Sequence, residues 1–203
     1  MHNLRADAEV VLTVALRYAE RGSNLARAAM AGAAQCVELA HYPQHDVVDR
    51  QNGSRFFYHA HGARRRPAQE HGHFHVFCHG RKSDDYFHLI GISLNAQGLP
   101  IRLFTTNRWV TGERWRSADE VAAALAGFQL QVRGRMAPVA RWICALLRLY
   151  APQIVQLLQR RDAAMQRRAL AQPWDVLCED RRLDVVSQQR IDLAEKIQQL
   201  GCA

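Results

Sequence analysis

Lysine is almost missing from this chain. Of 27 basic residues only Lys82 and Lys196 are lysine, and the rest are arginine. A formal charge of +8 can signal a nucleic-acid partner. No aromatic-studded basic motif and no zinc-finger spacing accompanies it. Arginine without lysine, beside abundant alanine, reads as the codon usage of a GC-rich genome, so a nucleic-acid partner is not expected. Cysteine is sparse too: five residues, at 36, 78, 144, 178 and 202, never in a CxxC pair. That spacing excludes a disulfide framework and a cysteine-built zinc site, and leaves reduced thiols. No hydrophobic run approaches a membrane span, and "MHNLRADAEV" lacks the apolar stretch of a signal peptide. The expectation is a soluble, cytoplasmic, bacterial protein. Repeats and low-complexity runs are also absent. With 48% hydrophobic and 23% charged residues, 203 residues suit one domain spanning 1–203. The oligomeric state is not readable.

What is present orders itself as helices, then strands, then helices. In residues 5–21, Ala8, Val11, Leu12, Ala15 and Tyr18 fall on one face at helical spacing. Asn24 can cap a second helix running to about Leu39, so residues 1–40 read as a helical hairpin. A turn-rich loop follows, with His41, His45, Asp46 and Asp49. Four aromatic and β-branched runs, 55–61, 71–79, 86–94 and 99–106, suggest an antiparallel meander over 55–106, with "NAQG" (95–98) as a hairpin turn. Ser117 and Glu120 match a capping box, Pro138 suits a helix start, and Pro152 should kink or divide the following helix. A last helix is expected over roughly 188–200, stopping at Gly201. The fold class is α+β: a central antiparallel sheet of about four strands, flanked by N-terminal helices and a helical part over 117–200.

Nine of the ten histidines lie between residues 41 and 88. Alternate residues of a strand share a face. By that parity His71, His73 and His75 share one face, and Phe74, Val76 and Cys78 take the other, which suits a core. In the preceding strand His59 and His61 share a face with Phe57, and His88 on the third strand can join them. Neutral imidazole is the commonest side-chain ligand for transition metals. Neighbours on one strand face sit about 7 Å apart, close enough for two rings to converge on one ion, whereas the ends of an HxHxH run lie about 13 Å apart. The ligands are therefore expected from both strands: His59 and His61 with two of His71, His73 and His75, or with Glu70. Glu70 has the opposite parity to His71 unless it acts from the strand's first residue or from a bulge. The alternatives are a polar sheet face of mutually hydrogen-bonded histidines, or metal-free catalysis.

A second candidate region is "FTTNRWVTGERW". Asn107, Arg108, Trp109 and Thr111 offer donors, a cation and an aromatic face suited to a small ligand, and Glu113 a carboxylate. The same residues could equally plug the core and make a turn. Asp46 or Asp49 of "HDVVD" could orient a ligand histidine.

Two local resemblances bear on the chemistry. "HGHFHVF" resembles the signature of histidine-triad nucleotide hydrolases and transferases, which implies His73 as the nucleophile toward an α-phosphate, with His71 and His75 supporting it. "YHAH" followed by Glu70 is similar in idea to the metal motifs of cupins, without their glycine and proline framework. Over most of its length, through "HDVVDR", "YHAH", "EHGHFHVF", "RLFTTNRWVTGE" and the C-terminal "RD" and "ED" segments, the chain resembles an uncharacterised bacterial domain-of-unknown-function family. That resemblance implies a full-length domain and names no reaction.

The leading expectation is a histidine-rich transition-metal site, zinc or non-haem iron, on a sheet face. As an enzyme it would act on a small substrate held by residues 107–115, with Glu70 or Glu113 as general base. The alternatives are metal-free phosphoryl chemistry at His73, and a non-catalytic binding module using the Arg-rich helices.

Overall fold

The computed structural model of the chain describes residues 3–35, 37–38, 40–61, 67–79 and 85–201. Two helices, α1 (Leu4–Ala19) and α2 (Leu25–Ala29), precede five strands: β1 (Tyr42–Asp49), β2 (Ser54–His59), β3 (Glu70–His79), β4 (Tyr86–Asn95) and β5 (Pro100–Thr106). Helices α3 (Arg108–Thr111), α4 (Ala118–Ala126), α5 (Ala137–Leu149), α6 (Ala151–Ala169) and α7 (Trp174–Cys178) follow. The described chain closes with β6 (Val185–Arg190) and α8 (Leu193–Gln199). The strands form one antiparallel sheet in the order β1-β2-β3-β4-β5-β6. No described helix is long and apolar enough to cross a membrane.

The α+β class is as expected, but the sheet has six strands rather than four. Both additions are edge strands. β1 carries Pro43, His45 and Asp46, which read as loop residues, and its pairing with β2 is interrupted between Tyr42 and Val47. An edge strand tolerates such residues because one side of its backbone has no ladder to satisfy. β6 is short and mostly polar for the same reason, and it takes residues 188–190, expected to open the last helix, which starts instead at Leu193 behind its Asp192 cap. The second helix is also shorter than expected. It ends at Ala29, and positive φ at Ala31 and Gly32 turns the chain away before Leu39, which lies outside the described residues.

Local signals place the remaining ends. Asn3, Asn24, Ser117 and Asp192 cap helices through side-chain acceptors, and Ser117 with Glu120 forms the full capping box. Pro138 and Pro152 sit in the first turns of α5 and α6, so Pro152 divides the long apolar stripe at Tyr150.

One sheet face builds the main core. Phe56, Tyr58, Phe74, Val76, Ile90, Ile92 and Leu103 pack with Val11 of α1, Trp142 and Ile143 of α5, and Ile154 and Leu157 of α6. The other face carries the histidines. Its cross-strand register sets two rows: His59–His73–Ser93–Arg102 and Phe57–His75–Gly91–Phe104. Gly91 gives the second row its shape. A Cβ there would lie 2.3 Å from the Phe104 ring, so only glycine lets that ring lie across β4 and reach His73 and His75, at 5.1 and 5.8 Å between centroids.

A candidate metal centre on the histidine face

Three histidines meet. His59, His73 and His75 are buried, and each offers a nitrogen within 4.8 Å of the others'. His59 comes from the last residue of β2, directly opposite His73. His75 follows two residues later on the same face of β3. Phe57 and Phe104 wall the group, and His41 stacks flat on Phe57 at 3.7 Å.

Each β3 histidine is held by one ring nitrogen. His73 Nδ1 lies 2.7 Å from Glu70 Oε1, and Arg102 donates to Glu70 Oε2 at 2.7 Å. His75 Nδ1 lies 3.0 Å from His88 Nε2, and His88 Nδ1 lies 3.2 Å from Thr106 Oγ1. One set of tautomers satisfies both chains. His73 Nδ1–H donates to the carboxylate. His75 Nδ1–H donates to His88, and His88 Nδ1–H donates to Thr106. In that set His73 and His75 both turn a bare Nε2 lone pair inward. His73 Nε2 then accepts from His59 Nε2–H across 2.7 Å. A metal ion would take the place of that shared proton.

Electrostatics favour neutral rings at His59, His75 and His88. Burial, then the charge of His73, lowers the pKa of His59 to about 2. Burial lowers that of His88 to about 3, helped by Arg161, and holds that of His75 well below the ordinary histidine value. For Glu70 burial acts upward, but the hydrogen bond and charge of His73, with Ser93 and Arg102, hold the carboxyl down at about 2. Glu70 is therefore a fixed anion beneath His73, of the kind that orients metal-bound imidazoles.

Regular parity is interrupted at two places along β3 and β4, between Glu70 and Gly72 and between Val76 and Phe77, the second opposite Ile90 and His88. The β3–β4 register slips between Glu70 and Gly72, so His71 sits in a bulge. Glu70 thereby turns to the histidine face, and His71 turns to the core side, where its Nδ1 lies 2.8 Å from the Tyr58 hydroxyl and its ring stacks on Tyr58. The alternating trio expected of a histidine-triad motif is thus not presented on one face. His61 stays at the rim: its ring lies 5.0 Å from His59 and 5.3 Å from His73, and its buried Nδ1 has no hydrogen-bond partner among the described residues.

The remaining candidates lie elsewhere. Asn107 donates to Leu177 O, Trp109 to Leu183 O, and Arg108 pairs with Glu179, so these three fasten the segment around α7. Thr111 keeps a buried hydroxyl without a partner among the described residues. Glu113 accepts from the His88 backbone N–H, and burial raises its pKa to about 8 against the pull of that bond and of Arg161. Asp46 pairs with His41 and Arg55, while Asp49 caps the turn at Gln51 and Asn52, so neither touches a clustered histidine. Thr106, Arg102 and Ser93 were not singled out from the sequence. Their signal is same-face alternation along β4 and β5, legible only once the strands are in register.

Comparison with protein families finds a model that matches residues 4–191, described as a domain of unknown function, DUF6969. The chain belongs to that family. No curated protein and no solved structure matches it.

Proposed function

We propose that this member of the DUF6969 family binds one zinc ion through His59, His73 and His75, as the centre of a metal-dependent activity on a small substrate. The observation that carries this reading is the convergence of three buried imidazoles, of which the two on β3 are fixed through their outer nitrogens. Three nitrogen ligands converging at about 2.0–2.1 Å leave a fourth position free, the arrangement of catalytic rather than structural zinc. The present nitrogens are 2.7 Å apart at the His59–His73 pair and within 4.8 Å overall, close enough to serve one ion. An iron centre of the two-histidine, one-carboxylate type would draw on Glu70 as a ligand. Both Glu70 oxygens are engaged, by His73 and by Arg102, which favours the all-nitrogen set and hence zinc.

A zinc ion so held would act as a Lewis acid and activate a water at the open position. The chain's own residues have separate tasks. Glu70 fixes the tautomer of His73, and His88 with Thr106 fixes that of His75. Phe57 and Phe104 keep bulk water from the rings. His61, with its spare nitrogen, flanks the open side.

The test is elemental analysis of the untagged chain purified without chelator, beside a folded His59→Ala/His73→Ala variant. About one equivalent of zinc is expected in the wild type and none in the variant. A wild type that takes up no metal, even after incubation with zinc, iron(II) and copper(II), would overturn the proposal.

A further inference from the structure

The seam between α1 and α5 holds a basic cluster that the histidine face does not use. Val14, Arg17, Tyr18 and Arg21 recur at helical spacing along one face of α1 and its C-terminal end. Pro138 and Arg141 stand one turn apart at the start of α5. These six residues line a cavity of about 170 Å³. No acidic side chain lines it, and among the described residues Arg17, Arg21 and Arg141 make no ion pair. Arg148, further along the same face of α5, is by contrast neutralised by Asp7 at 2.7 Å.

Three more observations mark the cluster as a place for an anion. Burial raises the pKa of the Tyr18 phenol while Arg135, Arg21 and Arg141 pull it down, so three guanidinium charges reach one hydroxyl. Arg135 is itself anchored, donating to Ala31 O at 2.7 Å. The first turn of α5 carries no acidic residue to offset the positive end of its dipole. The cavity is smaller than a site for a drug-sized ligand, which occupies about 300–1,000 Å³. It suits a single phosphoryl group, and arginine presents donors in the fork that phosphate oxygens match.

Arg141 borders more than one cavity. That residue also lines a second cavity of about 500 Å³, which continues along the seam past Val10, Phe128 and Leu130. Arg141 therefore stands between a cationic pocket and a groove with an apolar wall. We propose that the Arg17–Arg21–Arg141 cavity binds the phosphate of an organic phosphomonoester whose apolar portion lies along the Val10–Phe128–Leu130 groove. This site is separate from the histidine face and stands whether or not a metal binds there.

The experiment is calorimetric titration of the full chain, at fixed ionic strength, with inorganic phosphate and with hexyl phosphate. Two double variants are compared. Arg17→Gln/Arg141→Gln removes two cavity cations. Arg160→Gln/Arg167→Gln removes the same charge from another surface cavity, on α6. All three arginines of the proposed site and both control positions are at or near the surface, and unchanged circular dichroism and melting establish that each variant is folded. The proposal expects hexyl phosphate to bind more tightly than inorganic phosphate, the first variant to lose about 10-fold or more in affinity for both, and the α6 variant to retain it. It is overturned if the wild type shows no saturable binding up to about 10 mM, if the first variant binds as the wild type does, or if both variants lose equally, which would be net charge alone. Equal affinity for the two probes would overturn the assignment of the apolar groove.

Discussion

Without bound metal, the histidine face should make the fold sensitive to mild acid. His59, His75 and His88 are buried and neutral, with pKa values of about 2, well below normal and about 3. In the unfolded chain each regains a pKa near 6.5. A base whose folded pKa is depressed contributes stability above its unfolded pKa, and that contribution is lost as pH falls through it. Between pH 7.5 and 5.5 each of the three costs about 1.4 kcal/mol, about 4 kcal/mol together. Glu113 acts in the opposite sense. Its folded pKa is raised to about 8, so over the same interval the fold holds a proton that the unfolded chain does not. That returns about 2.5 kcal/mol on acidification. Glu70, held at about 2, loses its contribution only below about 4.5 and does not enter. From these four groups the net is a loss of about 1.5 kcal/mol in the wild type, to which the lowered pKa of His61 adds in the same direction, against a total of about 5–15 kcal/mol for an ordinary domain. Glu113→Gln separates the two effects. The amide keeps an acceptor for the His88 N–H but cannot titrate, so the loss should grow to about 4 kcal/mol. The assay is urea unfolding in chelator at the two pH values for both proteins. Equal losses in the two, or a wild type that gains stability at pH 5.5, would refute the assignment of buried neutral histidines opposed by a protonated Glu113.

Three substitutions test the geometry. Glu70→Gln should weaken zinc binding about 10–100-fold, read by competition with a fluorescent chelator, because the carboxylate that orients His73 is lost; an affinity within twofold of wild type would remove Glu70 from the site. His71→Ala should leave zinc stoichiometry and affinity unchanged, since His71 lies against Tyr58 on the core side; loss of metal there would mean that the β3 bulge is wrongly placed. Gly91→Ala should cost about 1–3 kcal/mol in urea unfolding and weaken zinc binding as well, because the new methyl meets the Phe104 ring that walls His73 and His75; a variant as stable and as zinc-competent as wild type would count against that wall.

The strands that could be read from the sequence are the ones with strong period-2 patterning. β2 to β5 declare themselves because Phe56, Tyr58, Phe74, Val76, Ile90 and Ile92 must face a helical layer, and a half-buried strand has few other ways to satisfy that demand. β1 and β6 are edge strands whose residues answer to one neighbour only, so turn formers such as Pro43 and Asp46 sit in β1 without contradiction. Helix caps were legible because they are local. A hydroxyl or amide acceptor beside a free backbone N–H needs no knowledge of the rest of the fold.

The site divides along the same line. Parity places His59, His73 and His75 together because all three lie where β2 and β3 pair without interruption. It misplaces Glu70 and His71 because the slip between Glu70 and Gly72 is set by β3's pairing with β4, against Asn95 and Leu94, and one extra residue exchanges the faces of everything before it. Gly72 helps make the exchange possible: a Cβ there would lie 2.6 Å from the His59 carbonyl and 2.7 Å from the Tyr58 hydroxyl, the group that His71 meets. The consequence is chemical as well as geometric. A regular strand would have offered His71 as a fourth imidazole and left Glu70 in the core without a partner. The bulge instead places one carboxylate beneath His73, tied to Arg102, and so turns a row of histidines into three candidate ligands with an anchored support.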